Sequence, residues 1–247
     1  MSKILVLTDI HANLPAFDAV MDHADNFDEL WFLGDIANFG PNPSECVDKL
    51  YQYNPKCIMG NHDKIIASQS NKCNTWDKWS RSKLNEKQLD WIKTYADTGW
   101  IDETYFALHG IYNVPYDILP NTSDLDIERA FENQIPPETK NVIFGHYHYE
   151  IDRTIKGVNY YCIRPVGHHR DRDIRASYHI IDNGVLEHYR VPYDIEKLIY
   201  EIRHKVDCYD SEFIEQWIDL IRNGYSETLL SKDIKQMKDN ENKNNKG

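Results

Sequence analysis

The sequence lacks the cysteine pattern of a disulfide framework or of a zinc knuckle. Its five cysteines are odd in number and widely spaced, and no two of them form a Cys-x-x-Cys pair. This usage is typical of reduced thiols in the cytosol. A long apolar run is also missing, since the longest one near the start, Ile4 to Leu7, is far too short for a signal peptide or a membrane span. We therefore predict a cytoplasmic protein without a membrane segment.

Positive charge is scarce as well. The formal net charge is −12, whereas non-specific binding to nucleic acid depends on many lysines and arginines that displace counterions. We therefore do not expect nucleic acid as a partner. One local basic patch remains, and it consists of Arg164, Arg170, Arg172 and Arg175.

The first third of the chain alternates strand-like and helix-like segments. The length of 247 residues suits one domain with a substantial core. The alternating segments are Lys3 to Thr8, Asn13 to Ala24, Leu30 to Leu33, Pro43 to Tyr53 and Cys57 to Gly60. This βαβαβ order indicates parallel strands. Apolar residues at helical spacing between positions 75 and 95 predict helices that cover one side of the sheet.

The pattern changes after His148. Four short strand-like pieces follow, at 151–155, 158–163, 176–181 and 185–191, and the turn residues Asp182-Asn183-Gly184 predict an antiparallel hairpin. Two helical patterns come next, at 195–206 and 211–222, and Gly224 is a suitable stop for the second. We predict one domain over residues 1–231 and a flexible polar tail over 232–247, because the tail has too few apolar residues to fold.

Five short blocks carry most of the chemical information. Each block stands where a strand-like run ends, and ligands in open α/β sheets bind beyond the carboxyl ends of the strands. The blocks are Asp9-Ile10-His11, Gly34-Asp35, Gly60-Asn61-His62-Asp63, His109-Gly110 and Gly145-His146-Tyr147-His148. We expect their glycines, at 34, 60, 110 and 145, to permit the backbone turns that direct the ligands inward.

The blocks supply seven candidate metal ligands. They are oxygen and imidazole donors without a thiolate, a set that suits manganese, iron, cobalt, nickel or zinc better than calcium or magnesium. The candidates are Asp9, His11, Asp35, Asn61, His109, His146 and His148.

In this order the blocks resemble the motifs of the calcineurin-like metallophosphoesterases. Further segments are similar to the small single-domain phosphodiesterases of that superfamily: Asp9 to Phe17, Gly34 to Pro43, Arg175 to Tyr178, and Tyr193-Asp194. The resemblance covers about residues 1–225. It implies an α/β fold in which two packed mixed β-sheets are flanked by helices, an αββα sandwich.

The resemblance also implies two divalent transition-metal ions. One would be held by Asp9, His11, Asp35 and His148, and the other by Asp35, Asn61, His109 and His146, so that Asp35 bridges them. Manganese is our first choice, with iron, nickel, cobalt and zinc as alternatives. A hydroxide shared by the two ions would attack phosphorus in line.

The same resemblance makes His62 the proton donor to the leaving oxygen. We expect the adjacent Asp63 to hold the ring of His62 in the required orientation. The alternative is that Asp63 caps the helix that starts after Gly60-Asn61.

The loop from Cys162 to Asp171 departs from the related phosphodiesterases. They tend to read Asn-Pro-Gly-Ser-Val-Gly-Gln-Pro-Arg-Asp, whereas Arg164-Pro165 replaces the Gly-Ser pair here. Our hypothesis is that Arg170 or Arg164 binds a phosphate oxygen of the substrate. The alternative is a salt bridge with Asp171 or Asp173. His168 and His169 are adjacent, and neighbouring side chains on an extended segment point to opposite faces, so we do not expect them to share a third metal.

The function that fits these features best is a metal-dependent phosphohydrolase, a phosphodiesterase in the first place, acting on a small phosphate ester or a nucleotide. Alternatives with the same centre are a nucleotide hydrolase of the diadenosine-polyphosphate type and a phosphomonoesterase. A non-catalytic protein-binding scaffold is the alternative from another class. A nuclease is less consistent with the acidic composition. Homo-oligomerisation is left open.

Overall fold

Ten strands in the described part of the chain form two five-stranded sheets. The computed structural model describes residues 2–68, 73–112, 114 and 117–224. The strands are β1 (Ile4–Leu7), β2 (Glu29–Phe32), β3 (Lys56–Cys57), β4 (Thr98–Ile101), β5 (Tyr105–Leu108), β6 (Asn141–Phe144), β7 (Ile151–Ile155), β8 (Val158–Cys162), β9 (Ala176–Asp182) and β10 (Val185–Val191). The helices are α1 (Leu14–His23), α2 (Pro43–Tyr51), α3 (Asn61–Ala67), α4 (Thr75–Ser82), α5 (Glu86–Ile92), α6 (Asp124–Phe131), α7 (Ile195–Lys205) and α8 (Ser211–Asn223).

The first sheet has the strand order β10-β9-β1-β2-β3. Strands β1, β2 and β3 are parallel, with Ile4 opposite Glu29, whereas β9 is antiparallel to both β1 and β10. The predicted parallel βαβαβ unit is therefore confirmed. The predicted hairpin is confirmed too, because Asn183 and Gly184 between β9 and β10 both have positive φ angles, 51° and 77°, as a type I′ turn requires.

The second sheet has the order β4-β5-β6-β8-β7, with β5, β6 and β8 parallel and both edge strands antiparallel to their neighbours. Sequence patterns do not reveal β4 or α6. Strand β4 is short and contains Gly99, and it is defined by its pairing with β5 across a turn at Asp102 and Glu103. Helix α6 begins at the cap Ser123, whose side chain accepts a hydrogen bond from the Asp126 N–H.

Alternation along β1 divides its side chains between two cores. Ile4 and Val6 belong to the core between the sheets, whereas Leu5 and Leu7 belong to the core under α1 and α2. Each fully buried aliphatic side chain contributes about 1.5–3 kcal/mol relative to an exposed one. Helix α6 covers the outer face of the second sheet, through residues such as Phe131. The predicted sandwich of two mixed sheets between helices is confirmed.

The two C-terminal helices pack together with α4 in a separate apolar cluster. Helix α8 ends at Gly224, which has a left-handed φ of 61° and so fits the predicted stop. The predicted tail, 232–247, lies outside the described residues, as does the stretch 225–231 at the end of the predicted domain.

Neither a disulfide nor a membrane helix is found in the described chain. Cys46, Cys57, Cys162 and Cys208 carry no disulfide there. None of the described helices combines the length and the apolar character needed to cross a membrane.

Candidate metal centre

The seven predicted ligands lie at the carboxyl ends of strands from both sheets. They come from the loops after β1, β2, β5 and β6 and from the start of α3, and they are Asp9 and His11, Asp35, His109, His146 and His148, and Asn61. Strands β1 and β2 belong to the first sheet and β5 and β6 to the second. The candidate centre is therefore built across the contact between the two sheets.

Most of these ligands have an unusual backbone conformation. Five of the seven have a positive φ, and they are Asp9 (52°), His11 (49°), Asp35 (65°), His146 (71°) and His148 (62°). Such a conformation costs a residue other than glycine about 1–3 kcal/mol and persists only where the surrounding structure fixes it. Strain of this kind is typical of functional sites.

The neighbouring glycines mainly permit close packing of the ligand loops. A Cβ atom on Gly60 would lie 2.1 Å from Asp35 Oδ1, and one on Gly145 would lie 2.1 Å from Thr8 Oγ1. The expectation that glycines provide the backbone turns is wrong for these two, because neither has a positive φ, whereas Gly34, with a φ of 100°, agrees with it.

The first ligand group consists of Asp9, His11 and His148, whose donor atoms all lie within 4.8 Å of one another. Asp9 Oδ1 is 3.1 Å from His148 Nε2 and 3.5 Å from His11 Nε2. The other oxygen, Oδ2, accepts hydrogen bonds from the Thr8 hydroxyl (2.7 Å) and the His146 backbone N–H (3.0 Å). One carboxylate oxygen is thus fixed by the protein, and the other faces the imidazoles.

The second ligand group consists of Asp35, His109 and His146. Asp35 Oδ2 is 3.2 Å from His109 Nε2, while Oδ1 accepts a hydrogen bond of 2.9 Å from the backbone N–H of His62. The remaining predicted ligand atom, Asn61 Oδ1, is buried without a hydrogen bond to any described residue. Buried polar atoms normally have a partner. A cation bound by this group would provide one, so the residues present fit a metal.

The two groups are adjacent. Asp35 Oδ2 is 4.0 Å from His11 Nε2 in the first group, and Asp9 Oδ1 is 3.9 Å from His109 Nε2 in the second. Asp35 therefore stands between the groups, where a bridging carboxylate would have to be.

Hydrogen bonds orient two of the imidazoles. The Nδ1–H of His11 donates to Asn38 Oδ1 at 2.7 Å, and the Nδ1–H of His109 donates to the Leu33 carbonyl at 2.5 Å. Metal-binding histidines are commonly fixed in this way, since the bond at one nitrogen sets the tautomer of the other. In both rings Nε2 is therefore the nitrogen that carries no hydrogen and can bind a metal ion.

Burial and charge divide the imidazoles into two kinds. Burial lowers the pKa of His146 to about 3 and that of His148 to about 4, so both rings are neutral. Burial acts in the same direction on His109, but Asp35 outweighs it and raises the pKa of His109 to about 10. Asp35 therefore favours a positive charge at this position, and a cation bound there would take the place of the His109 proton.

The carboxylates remain ionised in spite of their burial. Burial alone would raise the pKa of both Asp9 and Asp35. The neighbouring imidazoles, chiefly His148 for Asp9 and His109 for Asp35, outweigh burial and hold each pKa well below its usual range.

His62 lies beside the centre and is held through one ring nitrogen. Its Nδ1 is 3.0 Å from Asp77 Oδ1 and 2.6 Å from Asn38 Nδ2, which leaves Nε2 available. Burial works against protonation, but the carboxylates of Asp35 and Asp77 outweigh it and raise the pKa of His62 above its ordinary value. This imidazole is equipped to carry a proton near neutral pH.

Asp63 does not orient the His62 ring, so that part of the prediction is wrong. Its carboxylate accepts three backbone hydrogen bonds, from the N–H groups of Asp35 (2.7 Å), Ile36 (3.0 Å) and Gly60 (3.1 Å). The Gly60 bond caps helix α3, and the other two fix the loop that carries Asp35. The capping alternative is the one observed, and Asp77 takes the place predicted for Asp63.

The two candidate substrate-binding arginines differ in their surroundings. Arg164 is engaged in ion pairs with Glu150 and, at 3.3 Å, with Asp171. The salt-bridge alternative therefore holds for Arg164, which acts within the protein. Arg170 has no ion pair or hydrogen bond in the described part of the chain, and its charge helps to lower the pKa of His148. Arg170 alone is left as a candidate for a substrate contact.

Two residues of the site, Asn38 and Asp77, are missing from the sequence-based prediction. Asn38 lies in the loop after Asp35 and links the rings of His11 and His62. Asp77 is almost fully buried on α4, fifteen positions after His62 along the chain. The only local signal for Asp77 is the Asn74-x-x-Asp77 pattern, which predicts a helix cap and nothing more.

A helix–sheet–sheet–helix sandwich with paired aspartate and histidine groups at one edge defines a metallohydrolase type of α/β protein. The sequence model of the calcineurin-like phosphoesterases matches residues 2–195. The chain belongs to this family. It is therefore a phosphate ester hydrolase, in a family that generally uses divalent metal ions.

Individual relatives agree with this assignment. A chain from Methanocaldococcus jannaschii, described as an uncharacterized protein, is 30% identical over 229 residues, which cover 81% of this chain and 92% of that protein. The crystal structure of a metallophosphoesterase from Sphaerobacter thermophilus has a TM-score of 0.74 at 24% identity and covers 90% of this chain and 99% of its own. The crystal structure of a hypothetical protein from Pyrococcus horikoshii has a TM-score of 0.73 at 19% identity. The match covers 91% of this chain and 99% of that protein. At these identities the two structures show a shared fold.

Proposed function

We propose that this chain is a phosphodiesterase that works with two divalent transition-metal ions, manganese in the first place. The observation that carries the proposal is the convergence of the two ligand groups, with donor atoms of one group within about 4 Å of the other. Asp9, His11 and His148 would hold one ion, and Asn61, His109 and His146 the other, with Asp35 shared. When bound, such a pair of ions lowers the pKa of a shared water and neutralises charge that develops on the phosphoryl oxygens.

The leaving group receives its proton from His62 in this proposal. In the protonated ring Nδ1–H donates to Asp77 Oδ1, which also accepts a hydrogen bond from Asn38 Nδ2, so Nε2 is the nitrogen that can donate to the leaving oxygen. A raised pKa keeps a larger fraction of the ring protonated near neutral pH. His62 also donates its backbone N–H to Asp35 Oδ1, which ties the acid to the shared carboxylate.

The presence of one unpaired arginine, Arg170, favours a substrate with a single phosphate group. It is the one arginine of the loop from 164 to 170 without an ion pair among the described residues, since Arg164 is occupied by Glu150 and Asp171. A polyphosphate substrate would call for several such cations. We therefore rank the diadenosine-polyphosphate type of substrate below a simple ester.

The substrate class is tested with a panel of esters. Protein loaded with manganese is expected to hydrolyse a bis-aryl phosphate faster than an aryl phosphate, and either faster than a dinucleoside polyphosphate, single-stranded DNA or RNA. Preference for the monoester would overturn the diesterase assignment, and preference for the polyphosphate or nucleic acid would select that alternative. Failure of every metal to restore activity to the apo protein would favour the alternative of a non-catalytic, protein-binding scaffold.

Two variants test the assigned roles. Asp35→Asn should reduce metal content and abolish turnover, because the Asp35 carboxylate serves both ligand groups.

His62→Ala should keep its metals and slow esters with poor leaving groups far more than activated aryl esters, which need little help from an acid. Equal loss on both esters would mean that His62 positions the phosphate and does not donate a proton.

We also propose a cytoplasmic location, which is supported by cysteines that remain unbridged in the described chain.

A further inference from the structure

His168 stands next to the first ligand group without belonging to it. Its ring centroid is 5.0 Å from that of His148 and 5.5 Å from that of His11, and it is nearly perpendicular to both, at 81° and 76°. Its nitrogens are not among the donor atoms that group together around Asp9. The side chain is 6% exposed, and neither ring nitrogen makes a hydrogen bond within the described part of the chain.

The backbone before His168 is joined to the loop that carries the metal ligands. Val166 N–H donates to the Thr8 carbonyl at 2.9 Å, and Gly167 N–H donates to the Asp9 carbonyl at 3.0 Å. A Cβ atom on Gly167 would lie 2.0 Å from the Ile10 carbonyl oxygen, so the approach depends on glycine. The position of His168 relative to Asp9 is therefore fixed by main-chain contacts.

Aromatic rings fix the side chain as well. The His168 ring stacks on Trp217 of α8, with centroids 5.0 Å apart and planes at 9°, and on Phe39 at 5.6 Å and 25°. Trp217 Nε1–H donates to the Phe39 carbonyl at 3.1 Å. Phe39 in turn contacts the His62 ring at 4.8 Å. Helix α8 lies beyond residue 195, where the match to the family ends, so this support comes from a part of the chain that the family pattern does not contain.

We propose that His168 contacts the phosphoryl group of the substrate as a hydrogen-bond donor, and that Trp217 is the residue that positions it. The proposal rests on the proposed phosphoesterase function. A phosphate oxygen bound at the first ligand group would be a neighbour of this imidazole, which packs on Trp217 and Phe39 and whose ring nitrogens make no hydrogen bond to a described residue. Among the described residues, the ring contacts and the hydrogen bond of Trp217 reach His168 and Phe39 and no metal ligand, so its influence on the substrate would pass through these two residues.

The test uses inorganic phosphate, the minimal probe of the site, and the full chain loaded with manganese. His168→Phe keeps a ring for Trp217 to stack on but removes both nitrogens, and His168→Gln keeps a donor. His169→Gln is the matched control, because it removes the neighbouring imidazole, whose Nε2 contacts only the Val166 carbonyl among described hydrogen-bond partners. Calorimetric titration gives the Kd for phosphate, and metal content and KM are measured in parallel.

His168→Phe is expected to weaken phosphate binding about tenfold or more, the range for loss of a hydrogen bond to a charged group. His168→Gln should recover part of the affinity, and His169→Gln should be within twofold of the wild type. Full phosphate affinity in His168→Phe would overturn the proposal. Loss of manganese from His168→Phe would overturn it too, since His168 would then serve the metal site.

Trp217 is tested by Trp217→Leu against Trp217→Phe. Both variants lose the indole N–H, but only the phenylalanine keeps a ring against His168. The leucine variant should weaken phosphate binding and the phenylalanine variant should not. Adding His168→Phe to Trp217→Leu should cause little further loss, because the two residues act through one contact. Additive losses would contradict the positioning role.

A wild type that binds phosphate but hydrolyses no ester would contradict the proposed function instead. The comparison of phosphate affinities would still decide the role of His168.

Discussion

Asp77 serves the site and its own helix with different carboxylate oxygens. Oδ1 faces His62 Nδ1, whereas Oδ2 accepts a hydrogen bond from the Asn74 N–H at the start of α4. Asp77→Asn keeps the shape and the cap but removes the charge beside the ring. Hydrolysis of an ester with a poor leaving group should fall, by as much as the roughly 10²- to 10⁴-fold that a positioned general acid contributes. An activated aryl ester should be affected little, and the metal content should not change.

The contrasting variant for Asp77 is Asp63→Asn. The native Asp63 side chain fixes the backbone of Asp35 and Ile36 and makes no hydrogen bond to the His62 ring. We expect this variant to lower metal content and to slow both esters alike. The same leaving-group dependence in both variants would contradict the separate roles given to the two aspartates.

Arg170 is the remaining arginine that can contact the substrate. Arg170→Ala should lower kcat/KM for the ester by about tenfold with full metal content, because a hydrogen bond to a charged group contributes about 1.5–3 kcal/mol. Arg175→Ala is the control, since Arg175 belongs to the same basic patch but pairs with Asp173 on the surface. Unchanged kinetics in Arg170→Ala, or an equal effect of the control, would remove Arg170 from the substrate site.

Strand ends are the feature of the sequence that reveals most of the site. Parallel strands end at one edge of a sheet, and so polar residues that directly follow apolar runs can be expected to meet. This reasoning, with the order of the motifs, brings together Asp9, His11, Asp35, His109 and His148, which are found together. It works because each ligand is fixed by the short strand immediately before it.

Residues that reach the site from other elements could not be predicted in this way. Asp77 comes from α4 and Trp217 from α8, and their positions depend on how helices pack far along the chain. Adjacency in sequence suggests contact between Asp63 and His62, whereas the first turn of α3 directs the Asp63 carboxylate to backbone N–H groups. Strand β4 cannot be predicted for a similar reason, since its partner β5 defines it more than its own residues do.

The ligand groups join the two sheets of the sandwich. Asp9 and His11 follow a strand of the first sheet and His148 follows one of the second, and the second ligand group is divided in the same way. Metal bound there would connect the two halves of the sandwich at an edge where imidazole and carboxylate groups replace the apolar core. Burial of those groups without a cation is unfavourable.

Metal removal should therefore lower the stability of the entire fold. A ligand present at about 100 times its Kd stabilises the folded state by about 2.7 kcal/mol, and about 1 kcal/mol corresponds to roughly 2–4 °C in a chain of this size. We expect chelation to lower the Tm by roughly 5–10 °C, and manganese, cobalt, nickel or zinc to restore it to different extents. Calorimetry of Asp35→Asn is the control, because loss of the shared carboxylate should leave its Tm nearly insensitive to the chelator. A wild-type Tm that does not respond to chelator or metal would show that the sheets hold together without cations and would count against both ligand groups as metal sites.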